Sequence, residues 1–298
     1  MEKNLISVLL TLCMLLTGCT PKPREHYEMR QDLGVYFTNA DAVVESVRAA
    51  LVRRDYSITV SYSSHRDNLE ELGAIVRELM EFAYAETDSP QEGDYLRYSM
   101  GGYTLHSSYR TEGELYHYEV TILPEYYTKA EEEQAVSEQV KKILHELHFD
   151  RKTGDFQKIQ AVTAYLREHV RYDEIHAKNP NHHRKATAYA ALMQGQSVCQ
   201  GYAAAVYRLL REAGVSVRIL TGTAGENAEF HAWNLVCIDG LYYNLDVTWD
   251  DVNGNDACFL KADADFPRHT RDEAFSSPDF YQRYPMAAQS YAPEEERS

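Results

Sequence analysis

The sequence predicts a mixed α and β chain of two compact units, on three observations. Its 298 residues are more than one ordinary core organises. Hydrophobic residues make up 44% and charged residues 26%, the balance of a packed globular chain rather than a disordered or fibrous one. Stretches of helical period alternate with stretches of two-residue alternation, so neither an all-helical nor an all-strand fold fits.

The formal net charge is −16, which disfavours a nucleic-acid partner because phosphate binding needs a basic surface. The 23 tyrosines each bury a ring and keep a polar tip. Nothing in the sequence gathers them on one face, so they read as core edges and strand surfaces rather than a sugar or peptide groove.

Residues 1–18 read as a signal peptide. Lys3 supplies the positive start, and Leu5 to Leu16 is an apolar run too short to span a bilayer. Leu16-Thr17-Gly18-Cys19 then resembles a bacterial lipobox, in which Cys19 receives lipid and becomes the first mature residue. The expected location is the outer side of a bacterial membrane, with the chain held by several acyl chains. Cys13 lies in the leader, so Cys199, Cys237 and Cys258 remain. Three is odd: at most one disulfide forms, and a Cys237–Cys258 pairing stays open. The spacings match no zinc pattern.

Residues 19–34 read as a polar tether, and 35–127 as a small α/β domain. Thr38 or Asn39 caps a helix carrying Val43, Val47, Ala50 and Leu51. Tyr56 to Tyr62 alternates as a half-buried strand. Asp67 and Glu70 read as a capping box before a helix carrying Leu69, Leu72, Val76, Leu79 and Phe82. Two strands, Tyr103–Tyr109 and Leu115–Leu123, close this unit near Pro124. Helices are expected from Ala130 to Leu147 and from Asp155 to Val170, and Asp173 to Lys185 is loop around Asn179-Pro180-Asn181. The second domain is expected over 128–285, with 286–298 a flexible tail.

The chemistry concentrates between Ser197 and Asp251. Cys199 opens a helix whose inner face carries Tyr202, Val206, Leu209 and Leu210 and which Gly214 stops. A thiol in a first helical turn faces the positive end of the macrodipole, which favours the nucleophilic thiolate. Gly201 and Ala203 to Ala205 keep this turn thin. Further on, Asp239-Gly240 joins Ala232–Ile238 to Leu241–Val247 as a hairpin. A two-residue turn sets Trp233 opposite Asp246, so His231 and Asp246 become diagonal neighbours on one face. There a carboxylate can orient a histidine. An aspartate inside a strand is disfavoured by propensity, and partnership with His231 supplies a reason for it.

Three blocks carry a resemblance. Ser197-Val198-Cys199-Gln200-Gly201-Tyr202-Ala203, His231-Ala232-Trp233-Asn234 and Asp246-Val247-Thr248-Trp249-Asp250 resemble the signature of the bacterial transglutaminase-like family, at spacings of 32 and 15 residues. Ile159–Tyr172, Thr187-Ala188-Tyr189 and Phe259–Asp263 also look similar, so the likeness spans about residues 150–270. It implies an α+β, papain-like core in which the Cys-bearing helix packs on an antiparallel sheet. It also implies Cys199 as nucleophile, His231 as general base and acid, and Asp246 as orienter. Acyl transfer of this kind forms a thioester on a protein or peptide amide, cell-wall peptide being one candidate, and needs no cofactor. Tyr202, Trp233 and Trp249 are expected to line the substrate groove. The competing reading is an envelope binding module that keeps the shell without turnover.

Weaker patterns give no metal site. Asp251 to Asp256 looks like the start of a calcium loop, but its glycine falls early and Ala262 stands where a bidentate glutamate belongs. His176, His182 and His183 share a loop in which no carboxylate or cysteine keeps a ligand rhythm with them.

Overall fold

The computed structural model describes residues 31–266 and 268–293; the leader and Cys19 lie outside the described residues. In chain order the elements are β1 (Val35–Tyr36), α1 (Ala40–Val52), β2 (Ile58–Ser64), α2 (Leu72–Ala83), α3 (Asp94–Arg97), β3 (Met100–Glu112), β4 (Leu115–Tyr126), α4 (Ala130–Glu146), α5 (Asp155–His169), β5 (Arg171–Tyr172), α6 (Ala188–Gln194), β6 (Gln196–Ser197), α7 (Cys199–Glu212), β7 (Val217–Ala224), β8 (Glu229–Ile238), β9 (Leu241–Leu245), α8 (Val247–Asn253), β10 (His269–Arg271) and α9 (Pro278–Arg283).

Strands β1-β2-β4-β3 form an antiparallel sheet. In β2, Ile58, Val60 and Tyr62 are buried while Thr59 and Ser61 are exposed, so one face is core and the other meets water. Tyr56 is exposed and precedes the strand rather than opening it. Val47 and Leu51 of α1 and Val76 and Leu79 of α2 fill the core with Val120 and Ile122 of β4. Asn39 caps α1 by accepting from the Ala42 amide at 3.0 Å. Asp67 does not open α2. Its carboxylate is taken by the Leu69 amide at 3.1 Å and the Tyr118 hydroxyl at 2.8 Å, so the helix starts at Leu72 and Leu69 stays exposed. The unit also starts before Val35, because Leu33 is buried and its carbonyl accepts from Asn68 Nδ2.

The second antiparallel sheet runs β10-β7-β8-β9. At the β8–β9 turn Asp239 and Gly240 both have positive φ, 51° and 85°, the left-handed conformation a two-residue hairpin turn requires. Ile238 therefore faces Leu241, in the expected register. Val206, Leu209 and Leu210 of α7 share a core with Val236 and Leu245 of the sheet and with Val140, Ile143, Ile159, Val162 and Leu166 of α4 and α5. The transglutaminase-like α+β arrangement is thus present: a Cys-opened helix against an antiparallel sheet.

Two expectations fail. Residues 286–293 are not a free tail. The Ala287 amide donates to the Tyr242 carbonyl on the edge strand β9, Ala287 is buried, and Tyr291 stacks on Phe156 at 4.9 Å. A division at 127 separates the sheets but not the cores. Tyr95 packs beside Tyr207 of α7, and Asp94 accepts from Arg218 at 2.6 and 2.9 Å and from the Ile219 amide at 2.8 Å. Glu86 accepts from the Tyr207 hydroxyl at 3.0 Å. Residues 86–98 precede the second domain in sequence yet complete its interior. Among the described residues no helix is long and apolar enough to cross a membrane.

Candidate active site

Cys199 is the first helical residue of α7, after an extended Val198. Three close approaches hold it there. Tyr172 pairs with Ser197 in the parallel β5–β6 ladder. The Val198 amide and the Ser197 hydroxyl both donate to the Lys185 carbonyl, at 3.0 and 2.6 Å. Gly201 admits this loop: a Cβ there would lie 1.9 Å from Ser197 Oγ and 2.8 Å from the Thr187 carbonyl. The side-chain amide of Asn234 in β8 then donates to the carbonyls of Ala203 and Arg218, at 3.1 and 3.0 Å, fastening α7 to the sheet. Its cost of burial is met by both partners.

His231 lies in β8 and is buried. Its Nε2 hydrogen-bonds Asp246 Oδ2 at 2.8 Å, and the ring also hydrogen-bonds Cys199, for which Nδ1 remains. Burial alone would disfavour the charged ring. The hydrogen bonds and negative charge of Asp246 and Cys199 override it and raise the His231 pKa to about 10. Asp246 departs from expectation in one respect. β9 ends at Leu245, and Asp246 is the N-cap of α8, its Oδ1 accepting from the Trp249 amide at 3.1 Å. Aspartate is disfavoured inside a strand but is among the residues preferred at a helix N-cap, because its carboxylate accepts from a first-turn amide. Burial would raise its pKa, but hydrogen bonds from His231 and His269, with their charge, lower it below the usual carboxylate value.

His269 is the residue that sequence reasoning missed. Its Nε2 reaches the same Asp246 Oδ2 at 3.1 Å, and its side chain is 1% exposed. It arrives on β10, where it pairs with Ala224 of β7, and packs against Phe266 at 3.9 Å and Trp249 at 4.5 Å between ring centroids. A three-residue strand outside every sequence block gave no signal for it. The carboxylate thus has a partner for each oxygen and two histidines on one of them.

The expected groove is only partly present. Tyr202 is 1% exposed and its hydroxyl donates to Asp251 Oδ2 at 2.7 Å; Trp233 is 1% exposed and its indole N–H donates to Asn244 Oδ1 at 3.2 Å. Both are core residues, because each polar tip finds an internal partner. Trp249 alone is partly exposed, tilted against His231 at 5.7 Å with Arg268 over its ring. Cys258 is a free, buried thiol, so it forms no disulfide with Cys237; burial and the charges of Asp246 and Asp250 push it up to about 12. The calcium-like stretch is the end of α8, with Gly254 in the left-handed cap. His176 and His182 do gain a carboxylate, since Asp173 lies with them.

The family model for the transglutaminase-like superfamily matches residues 141–247, a span that contains Cys199, His231 and Asp246. Two curated relatives, the kyphoscoliosis peptidases of Mus musculus and Homo sapiens, are each 29% identical over 125 residues; the match covers 38% of this chain and 18% of theirs. A crystal structure described as that of a TGase is similar over 48% of this chain and 44% of its own, at 16% identity and a TM-score of 0.37. The segment that holds the candidate site, residues 141–247, thus carries a transglutaminase-like domain.

Proposed function

We propose that this domain is a cysteine-dependent acyl-transfer enzyme acting on protein or peptide amides. The observation that carries the reading is one imidazole held between Asp246 at 2.8 Å and Cys199 at the start of a helix. A charged His231 beside Cys199 favours the thiolate, and the α7 macrodipole adds to it. The Cys199 sulfur attacks the amide carbonyl carbon. First-turn amides of α7 can receive the developing oxyanion. The C–N bond breaks, the proton on His231 passes to the departing amine, and a thioester remains. An amine or a water then attacks that thioester and gives its proton back to His231, so the ring ends protonated and the thiolate is restored. Transamidation and hydrolysis differ only in this second nucleophile. Asp246 keeps its charge throughout and orients the ring.

The Leu-Thr-Gly-Cys sequence supports a setting at the cell envelope, with the chain held to a bacterial membrane through lipid on Cys19. Cys19→Ser should then move the protein to the soluble fraction; equal partitioning of wild type and variant would contradict the anchor. For the chemistry, the test is intact-mass analysis of protein mixed with glutamine-containing peptides, with and without a primary amine. The expected result is an acyl-enzyme adduct that vanishes in Cys199→Ala and product that depends on His231. Absence of adduct and product across such peptides would favour a binding module on the same shell.

A further inference from the structure

The loop from Asp173 to Thr187 gathers a donor set that its sequence does not advertise. The Asp173 side chain is 5% exposed, and its carboxylate lies 2.8 and 3.0 Å from His176 Nδ1. His182 returns across the Asn179-Pro180 turn and stacks on His176, with ring centroids 4.1 Å apart and planes 18° apart. One ligand atom from each of the three lies within 4.8 Å of the others. The loop is closed without help from a ligand: Lys185 Nζ donates to the carbonyls of His176, Ala177 and Asn179 at 2.7, 2.8 and 2.7 Å. Its positive charge is thereby committed to backbone oxygens rather than to the carboxylate.

We propose that Asp173, His176 and His182 form a site for a divalent transition-metal ion of the zinc class. Two imidazoles and a carboxylate are the donors such ions select, whereas calcium and magnesium require oxygen. Around tetrahedral zinc, ligand atoms at about 2.0–2.1 Å from the metal stand closer together than the present limit, and because an imidazole ligates in its own plane, one of the two stacked rings must rotate out of the stack to close the set. Coordination through a ring nitrogen of His176 replaces its hydrogen bond to Asp173, and a neutral ring keeps its proton on the other nitrogen. Three protein ligands leave a fourth position for water. The site is joined to the nucleophile by backbone: the Asp173 amide donates to the Ser197 carbonyl at 2.9 Å, and Lys185 holds Ser197 and Val198 from the other end of the loop. A bound ion would staple the segment that delivers Cys199.

The competing location for a metal is the active site itself, where His231, Asp246 and His269 also cluster. The experiment is a titration of the full chain with Co²⁺, read by its visible ligand-field absorption, followed by Zn²⁺ displacement. It is run on wild type, His176→Ala, His182→Ala and His231→Ala, with hydrogen exchange of residues 173–187 as a second readout. We expect one tight equivalent in wild type and in His231→Ala, slower exchange of the loop on loading, and affinity at least ~10-fold weaker in each loop variant. Cys199 alkylation at the wild-type rate in the metal-free loop variants shows that they are folded. Saturable binding that survives in His182→Ala and is lost in His231→Ala would overturn the proposal, as would the absence of saturable binding in wild type.

Discussion

The two antiparallel sheets of this chain use polar residues in opposite ways. In the N-terminal sheet Thr59, Ser61 and Glu119 point to solvent from strands whose other face is apolar. In the C-terminal sheet every residue from His231 to Ile238 is buried, and the polar ones among them have assigned partners: His231 has Asp246, and Asn234 has two carbonyls. A polar group on a water-facing strand needs no explanation, whereas one on a strand buried on both faces costs free energy unless bonded. The second sheet therefore advertises its site. From the N-terminal half, residues 86–98 carry Glu86, Asp94 and Tyr95 into the interior of the other domain.

The largest expected effect tests the buried side of that contrast. Asp246→Asn keeps the shape but donates where the ring needs an acceptor, and turnover should fall by roughly 10³–10⁴-fold. Peptide turnover at matched protein concentration checks it, and Cys199 labelling should fall much less. Next is Asp94→Ala, which leaves Arg218 buried beside Glu86 with its bidentate partner removed. A loss of ~3–5 kcal/mol in chemical denaturation is expected. A fragment starting at residue 128 should fail to fold for the same reason; a soluble, reactive fragment would show that the halves do not share a core.

A smaller effect is expected at His269. His269→Ala removes one of two donors to Asp246 Oδ2 and should lower turnover about 10-fold, an estimate from one charge-assisted hydrogen bond. Because it acts through Asp246, it should also change the pH dependence of turnover, while a purely structural residue would leave the profile in place. Glu86 tests the interface by pH. Burial, together with the Asp94 charge, raises it from 4.5 to about 7 against the pull of Arg218 and Arg211. The folded state then holds a proton that the unfolded state has released, so this contribution is complete below 4.5 and is lost as pH rises through about 7. Glu86→Gln should flatten the melting temperature over that window. At the small end, Ser61→Ala on the water-facing strand should change stability by less than ~0.5 kcal/mol.

The same contrast explains what the sequence discloses. The hairpin register could be read because Asp239-Gly240 fixes it locally, and Cys199 because a helix start has local signals. His231 and Asp246 followed from strand alternation. The cap role of Asp246 did not, since strand and helix meet at that single residue. His269 and the inward reach of Asp94 are products of chain return over tens of residues, and periodicity holds no record of them; Asp173, by contrast, stands only three residues before His176, a local pairing that an irregular loop does not single out. Trp233 and Tyr202 were misplaced because an aromatic ring in a motif has the same letter whether it lines a groove or fills a core.

The central claim is that His231 is a charged partner of Cys199. The most direct measurement is the pH dependence of alkylation, resolved by residue through peptide mass mapping, in wild type and His231→Ala. The raised His231 pKa, from 6.5 to about 10, predicts that its contribution is complete below 6.5 and lost as pH passes about 10. Cys199 should therefore label rapidly and with little pH dependence through neutrality, far ahead of the buried Cys258, and His231→Ala should slow it and make it strongly pH-dependent. A Cys199 rate that climbs with pH as a free thiol does, unchanged by His231→Ala, would contradict the account.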